Sequence, residues 1–437
     1  MEQNNVNWKL ADNLKLALEH AFADNVPKIE TKRGRLQGLY FCREKNNYVV
    51  ALDKIKPEEV DAYLELLESS GYELYAQNAI GEEGNECRFF TYRGEEATVH
   101  VSHFPPLRTC KITVMDPDSY LPPVERPEYE AVVAPFVTQP ARKGAEQTAP
   151  GMSCVFRLSD ASFIVIDGGP YDEDDCADLL KFLKDNTPNG ARPVIAAWMI
   201  THPHGDHMNL ANAFLDKYHD EVELRMAAYN FPHSSVKTVY EPLWVGGCEG
   251  FIDRINRYYP QAVHYIFHAG QKLYLADAEL EILYTHEDLY PTQISWGNHT
   301  SAAWSVTING KKTMILGDCE RDLCQQMADQ FGSALKSDIM SLSHHGFNGA
   351  CMDLYVAIDP DICFWPCDRY RFDGWSEFLL PDGTRQRDLR ARGLHSDGRV
   401  HESYDFNYWL RDDSVKVRRH YHSQEEALIM LKDQYIK

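Results

Sequence analysis

The chain has 437 residues, 44% of them hydrophobic and 25% charged, an ordinary globular composition that excludes a disordered or fibrous chain and leaves room for two or three folding units. Lys and Arg number 44 against 66 Asp and Glu, a formal charge of −22, which repels phosphate backbones and makes nucleic acid a poor partner. No run approaches the roughly 20 apolar residues that span a bilayer, the first residues lack the basic and apolar regions of a signal peptide, and the 11 cysteines follow no repeated spacing, so a cytoplasmic protein with reduced thiols and no membrane contact is expected.

From the N-terminus, Leu10, Leu14, Ala17, Leu18 and Ala21 recur at helical spacing and predict a helix over 8–22. Residues 36–41 and 48–52 flank the polar break Lys45-Asn46-Asn47 and predict a hairpin. Pro57 in a first turn, Val60, Tyr63, Leu64 and Leu67 along one face, and Gly71 past the end predict a helix over 57–70. Strand-like runs follow at 87–92, 97–102 and 110–115, completing a small α+β accessory domain over 1–118. Seven prolines from Pro117 to Pro150 disfavour regular structure and predict a linker, or a loop at the mouth of a site, over 119–150. From 151 to 437 strands alternate with helices: paired strands at 153–158 and 162–166, a helix at 176–184, and the apolar run 194–200, short enough to be a buried strand. Folds of that kind gather function where strands end.

Thr201-His202-Pro203-His204-Gly205-Asp206-His207 stands immediately after that apolar strand, and Leu210, Phe214, Leu215 and Tyr218 then recur with helical spacing. Offsets of two, four and five cannot share one face of a helix or strand, but a strand-to-helix loop can fan such residues around one point or two. Imidazole nitrogens mixed with a carboxylate suit zinc, iron or manganese. Three further segments end in polar groups of the same kind. The run 163–166 leads to Asp167-Gly168-Gly169, the run 314–316 to Gly317-Asp318, and the run 338–342 to Ser343-His344-His345-Gly346. Asn298-His299-Thr300-Ser301 precedes the alternating Ala302, Trp304, Val306 and Ile308, and Asn309-Gly310 then reads as a hairpin turn delivering Asp318.

Taken in order, these segments resemble the motifs of the metallo-β-lactamase-fold hydrolases over roughly residues 150–350. The Ser-His-His-Gly run and the Asn-rich turn resemble the branch that holds competence-protein nuclease domains and phosphorylcholine esterases. The resemblance implies an α/β metallo-β-lactamase-like αββα four-layer sandwich behind the accessory domain. It implies two divalent ions, zinc foremost, with manganese or iron as alternatives. His202 and His204 would bind one ion, Asp206 and His207 with His345 or His344 the other, and Asp318 would bridge both. Asp167 would brace the loop through hydrogen bonds. Asp206 and Asp318 would be the catalytic carboxylates of a dinuclear hydrolase whose bridging hydroxide cleaves a small ester or phosphodiester. Many members add a further His; here His233 and His299 are the candidates, each read equally well as a polar loop residue. The alternatives are a lactonase or amidase on the same centre, or a non-catalytic metal-binding scaffold. A diiron redox centre is a further rival, disfavoured because no flavin-binding signature is evident.

Arg385, Arg387, Arg390, Arg392 and Arg399 offer a clamp for an anionic substrate or a solvated face. The expected partner is a small molecule, an anionic one among the candidates. The accessory domain is expected to close the mouth of the site or to form a dimer contact, which would make the protein a homo-oligomer.

Overall fold

The computed structural model describes residues 26–41, 48–130, 136–138, 152–171, 173–232, 245–289, 294, 297–346, 350–360 and 362–364. The helix expected over 8–22, His233 and the arginines from Arg385 onward lie outside the described residues.

The first sheet is antiparallel throughout. Strands β1 (Arg35–Phe41), β2 (Tyr48–Asp53), β3 (Glu73–Ile80), β4 (Cys87–Arg93), β5 (Thr98–Phe104) and β6 (Thr109–Met115) lie in the order β1-β2-β6-β5-β4-β3. The expected hairpin is β1–β2. Helix α1 (Pro57–Ser69) starts behind Lys56, whose N–H is accepted by Glu59 at 3.0 Å, and its Val60, Tyr63 and Leu67 pack on Leu52, Val99, Val101 and Ile112. Strand β3 escaped the sequence reading because it is an edge strand with mostly exposed or half-buried side chains and so shows little apolar alternation.

Two further sheets stack face to face. One takes β7 (Phe136–Thr138), β8 (Ser153–Arg157), β9 (Phe163–Asp167), β10 (Val194–Met199), β11 (Glu223–Leu224), β12 (Met226–Tyr229) and β13 (Val263–Ile266), in the order β13-β12-β10-β9-β8-β7 with β11 on β10. The other takes β14 (Lys272–Leu275), β15 (Ala278–Tyr284), β16 (Ala303–Ile308), β17 (Lys311–Ile315), β18 (Ile339–Ser341) and β19 (Ile362–Phe364), in chain order. Phe156, Ile164, Ile166 and Met199 of the first meet Leu280, Ile282, Trp304 and Ile315 of the second. Helices α2 (Glu173–Asp185), α3 (Gly205–Tyr218) and α4 (Val245–Tyr258) cover the outer face of the β7–β13 sheet through Leu183, Phe214 and Phe251. Helices α5 (Arg321–Phe331) and α6 (Met352–Ile358) cover the outer face of the other through Leu323, Met327 and Leu354. The result is an αββα sandwich. Strands β9, β10, β12 and β13 run parallel, so their C-terminal ends form one edge.

Within the stretch read as a linker or a loop at the mouth of a site over 119–150, Phe136–Thr138 form the edge strand β7, antiparallel to β8. The first sheet is also docked on the sandwich through buried polar contacts. Lys111 Nζ lies 3.2 Å from Asp288 Oδ1, both side chains under 10% exposed, and His100 Nε2 lies 2.9 Å from the Ala269 carbonyl oxygen. Cys87, Cys110, Cys154, Cys176, Cys248, Cys319, Cys324 and Cys351 are buried. No described helix is long and apolar enough to cross a membrane.

Candidate metal centre

Strand β10 ends at Met199 and α3 begins at Gly205, so His202 and His204 lie in the connecting loop while Asp206 and His207 open the helix. The loop is braced from beneath. Asp167, at the end of β9 with φ +54, accepts the Thr201 N–H and the Thr201 hydroxyl, each at 2.7 Å, and lies 2.8 Å from His207 Nδ1. That bond keeps the ring proton of His207 on Nδ1 and turns Nε2 inward as a lone-pair donor. Gly168 lets α3 come this close, since a Cβ there would stand 2.6 Å from the Ala211 nitrogen. Asp318 follows β17 and the Ser343–Gly346 turn follows β18, neighbouring strands of the facing sheet.

Two donor groups result. Asp206, His207, Asp318 and His345 form one, and His202, His204 and Asp318 the other, each with its ligand atoms within 4.8 Å of one another. In the first group His207 Nε2 is 3.3 Å from His345 Nε2 and 3.1 Å from Asp318 Oδ1, and His345 Nε2 is 3.2 Å from Asp206 Oδ2 and 3.4 Å from Asp318 Oδ2. Ligand bonds of about 2 Å in a tetrahedron place donors about 3.3 Å apart, so these separations fit a metal of zinc's size. In the second, His202 Nε2 is buried without a hydrogen-bond partner, 3.7 Å from Asp318 Oδ2, and the His202 and His204 rings stand 4.7 Å apart. An orphaned imidazole nitrogen beside a carboxylate fits a cation as well.

The electrostatics agree. Burial would raise the Asp318 carboxyl, but the imidazoles around it, His345 first, hold it well below the usual carboxylate range. Burial would lower His207, yet Asp318 and Asp167 prevail and hold it well above its ordinary value. Burial is likewise outweighed by Asp318 and Asp206 at His345, raised to about 9. His202 is pushed well down by burial and by His207 beside it. Three carboxylates, those of Asp167, Asp206 and Asp318, thus share a small volume that demands positive charge, supplied by protons on His207 and His345 or by cations in their place.

Among the sequence candidates, His345 joins a donor group and His344 does not. His299 turns away to Asp322, with Nε2 3.4 Å from Oδ1. Glu320 escaped the sequence reading as a part of this site, and Asn298 figured there only in the Asn-rich turn. Glu320 accepts from Asn298 Nδ2 at 2.9 Å, and Asn298 Nδ2 also lies 3.3 Å from His344 Nε2. The signal available for Glu320 was only its place two residues after Asp318. Asp206 and His344, 24% and 26% exposed, mark the open side of the centre, whereas His202, His207, Asp318 and His345 are buried.

No protein-family model matches the chain, and no curated protein matches it in sequence. Among solved structures it is similar to YhfI, a metallo-beta-lactamase fold protein from Bacillus subtilis, at 12% identity over 53% of this chain and 85% of that one, with a TM-score of 0.33. It is also similar to CmlA, a diiron beta-hydroxylase from Streptomyces venezuelae, at 14% identity over 55% of this chain and 45% of that one, with a TM-score of 0.32. A third is Zn(2+)-bound PqqB from Methylobacterium extorquens, at 11% identity over 48% of this chain and 72% of that one, with a TM-score of 0.31.

Proposed function

We propose that the protein is a hydrolase of a small ester or phosphodiester that works with two divalent ions, held by His202, His204 and Asp318 on one side and by Asp206, His207, His345 and Asp318 on the other. The observation that carries this reading is the place of Asp318 in both donor groups, since a two-ion centre needs a carboxylate shared between its halves. Ions held there would supply a water of lowered pKa and a Lewis acid against the developing negative charge. The chain does the rest. Asp167 fixes the tautomer of His207 through the bond to Nδ1. Asp206, on the open side, is the carboxylate placed to orient an incoming water. The buried Cys319 thiol points at the Ser301 carbonyl oxygen, 3.9 Å away, and serves as no nucleophile.

Imidazole-rich donor sets favour zinc, with manganese or iron as alternatives. The phosphodiester choice rests on the Ser-His-His-Gly run, and the charge of −22 favours a small substrate over a nucleic acid. A cytoplasmic setting belongs to the same reading. The test is elemental analysis of the protein and its Asp318→Ala variant, each assayed on bis(p-nitrophenyl) phosphate, p-nitrophenyl phosphorylcholine and a simple lactone. Near two metals per chain, with metal and turnover lost in the variant, supports the reading. Turnover of the lactone alone would change the substrate class, and no metal uptake by either protein would sink it.

A further inference from the structure

Thr201 stands at the start of the ligand loop, 2% exposed, and belongs to neither donor group, yet both groups meet at its hydroxyl. Its backbone is pinned from both sheets. The N–H donates to Asp167 Oδ1 at 2.7 Å, and the carbonyl oxygen accepts the Ala302 N–H at 2.9 Å. Gly317, the residue before the shared carboxylate of Asp318, closes over the side chain. A Cβ at Gly317 would stand 2.9 Å from the Thr201 Cβ and 3.1 Å from Oγ1. Within this enclosure Oγ1 has three polar neighbours, Asp167 Oδ2 at 2.7 Å, His202 Nδ1 at 3.1 Å and His207 Nδ1 at 3.4 Å.

A hydroxyl has one hydrogen to give and accepts with its lone pairs, and an ionised carboxylate only accepts. The Thr201 hydrogen therefore goes to Asp167. His207 Nδ1 has a shorter bond of its own to the same carboxylate, 2.8 Å, which leaves the Thr201 lone pairs facing His202 Nδ1. We infer that Thr201 is the positioning residue of the His202 half of the centre: its hydroxyl, oriented by Asp167, accepts the Nδ1 proton of His202 and so presents Nε2 to the ion as a lone pair. His202 Nε2 is the buried ring atom without a hydrogen-bond partner, 3.7 Å from Asp318 Oδ2, where a cation needs that lone pair. One carboxylate thus sets a tautomer in each donor group, that of His207 directly and that of His202 through the threonine hydroxyl. A serine serves the same purpose, whereas valine, equal in shape, does not. The inference rests on the two-ion reading above and adds to it the residue that prepares His202 for its ion.

The test titrates zinc by calorimetry into full-length wild type, Thr201→Val and Thr201→Ser, with His204→Ala marking which binding event belongs to the His202 half. Nitrogen-15 spectra of the histidine rings, with His202→Gln to identify the signal, read the tautomer of His202 in the metal-free wild type and need no folded Thr201 variant. Thr201→Val is expected to weaken the His202 event by about tenfold or more and to change the other event less, because His207 keeps its own bond to Asp167. Thr201→Ser should return the His202 event to near the wild-type affinity. Two unchanged events in Thr201→Val, equal weakening of both, or no recovery in Thr201→Ser overturns the inference and leaves the two-ion reading standing. A His202 ring that carries its proton on Nε2 in the wild type overturns it as well. Failure of the wild type to take up zinc defeats the two-ion reading, and the inference falls with it.

Discussion

Replacing Asp167 by Asn exchanges one oxygen for an NH2 group and tests the logic of the whole centre. The carboxylate receives the Thr201 N–H, the Thr201 hydroxyl and the His207 Nδ1 proton, all in full burial. An amide has one accepting oxygen, so its NH2 must face either Thr201 or His207 Nδ1. Facing His207, it forces that ring to accept at Nδ1 and carry its proton on Nε2, which removes Nε2 as a donor to a metal. Facing Thr201, it leaves the N–H or the hydroxyl of Thr201 without an acceptor. Bonds to a charged group contribute roughly 1.5–3 kcal/mol each, so losing one or two should cost the metal-free protein about 3 kcal/mol, or near 9 °C in Tm at about 3 °C per kcal/mol. Loss of the brace should weaken metal binding by about 10–100-fold. Zinc titration calorimetry and thermal unfolding in a chelator measure the two effects separately. Wild-type metal affinity together with wild-type stability in Asp167→Asn would refute the claim that this carboxylate braces Thr201 and sets the tautomer of His207.

Other consequences are as direct. Gly168→Ala puts a Cβ 2.6 Å from the Ala211 nitrogen, a contact that must push α3 off the sheet; a cost of about 1–3 kcal/mol in urea unfolding is expected, with metal affinity falling because α3 carries Asp206 and His207. Lys111→Ala leaves the Asp288 carboxylate buried without its partner and should destabilise by about 3–5 kcal/mol, whereas Lys111→Met with Asp288→Asn should recover much of that; equal denaturation midpoints for wild type and Lys111→Ala would contradict this. Burial holds His100 down at about 4 in the folded chain, against about 6.5 unfolded. Its contribution is complete above pH 6.5 and is lost as pH falls from there towards 4, where the unfolded chain takes up a proton that the folded one refuses. The loss approaches about 3 kcal/mol, so His100→Asn should flatten the fall in stability between pH 7 and 5, and an unchanged slope in that variant would count against the assignment.

The sequence exposed some of these features and hid others for identifiable reasons. His202, His204, Asp206 and His207 are contiguous, and a loop after a buried strand has no packing use for them, so their chemistry shows in the chain itself. Asp167, Asp318 and the His344–His345 pair show only as polar residues closing apolar runs; their order suggests a centre, while their proximity depends on sheet order, β9 beside β10 and β17 beside β18. Which of the adjacent histidines faces inward is fixed by two left-handed residues, a dihedral choice that no periodicity records. The docking of the first sheet was least legible. Lys111 with Asp288, and His100 with Ala269, are 177 and 169 residues apart, and each alone reads as a surface charge or a polar strand residue. The pairing nevertheless reaches the centre. Asp288 belongs to the segment after β15, where the His286 ring donates to the Asn230 backbone. Asn230 follows β12, the parallel neighbour whose Ala228 pairs with Met199, so register sets it beside Thr201 at the start of the ligand loop. Lys111, Asp288, His286 and Asn230 therefore link the accessory sheet to the start of the ligand loop, and Lys111→Ala is expected to weaken zinc binding in titration calorimetry; binding equal to wild type would refute that link.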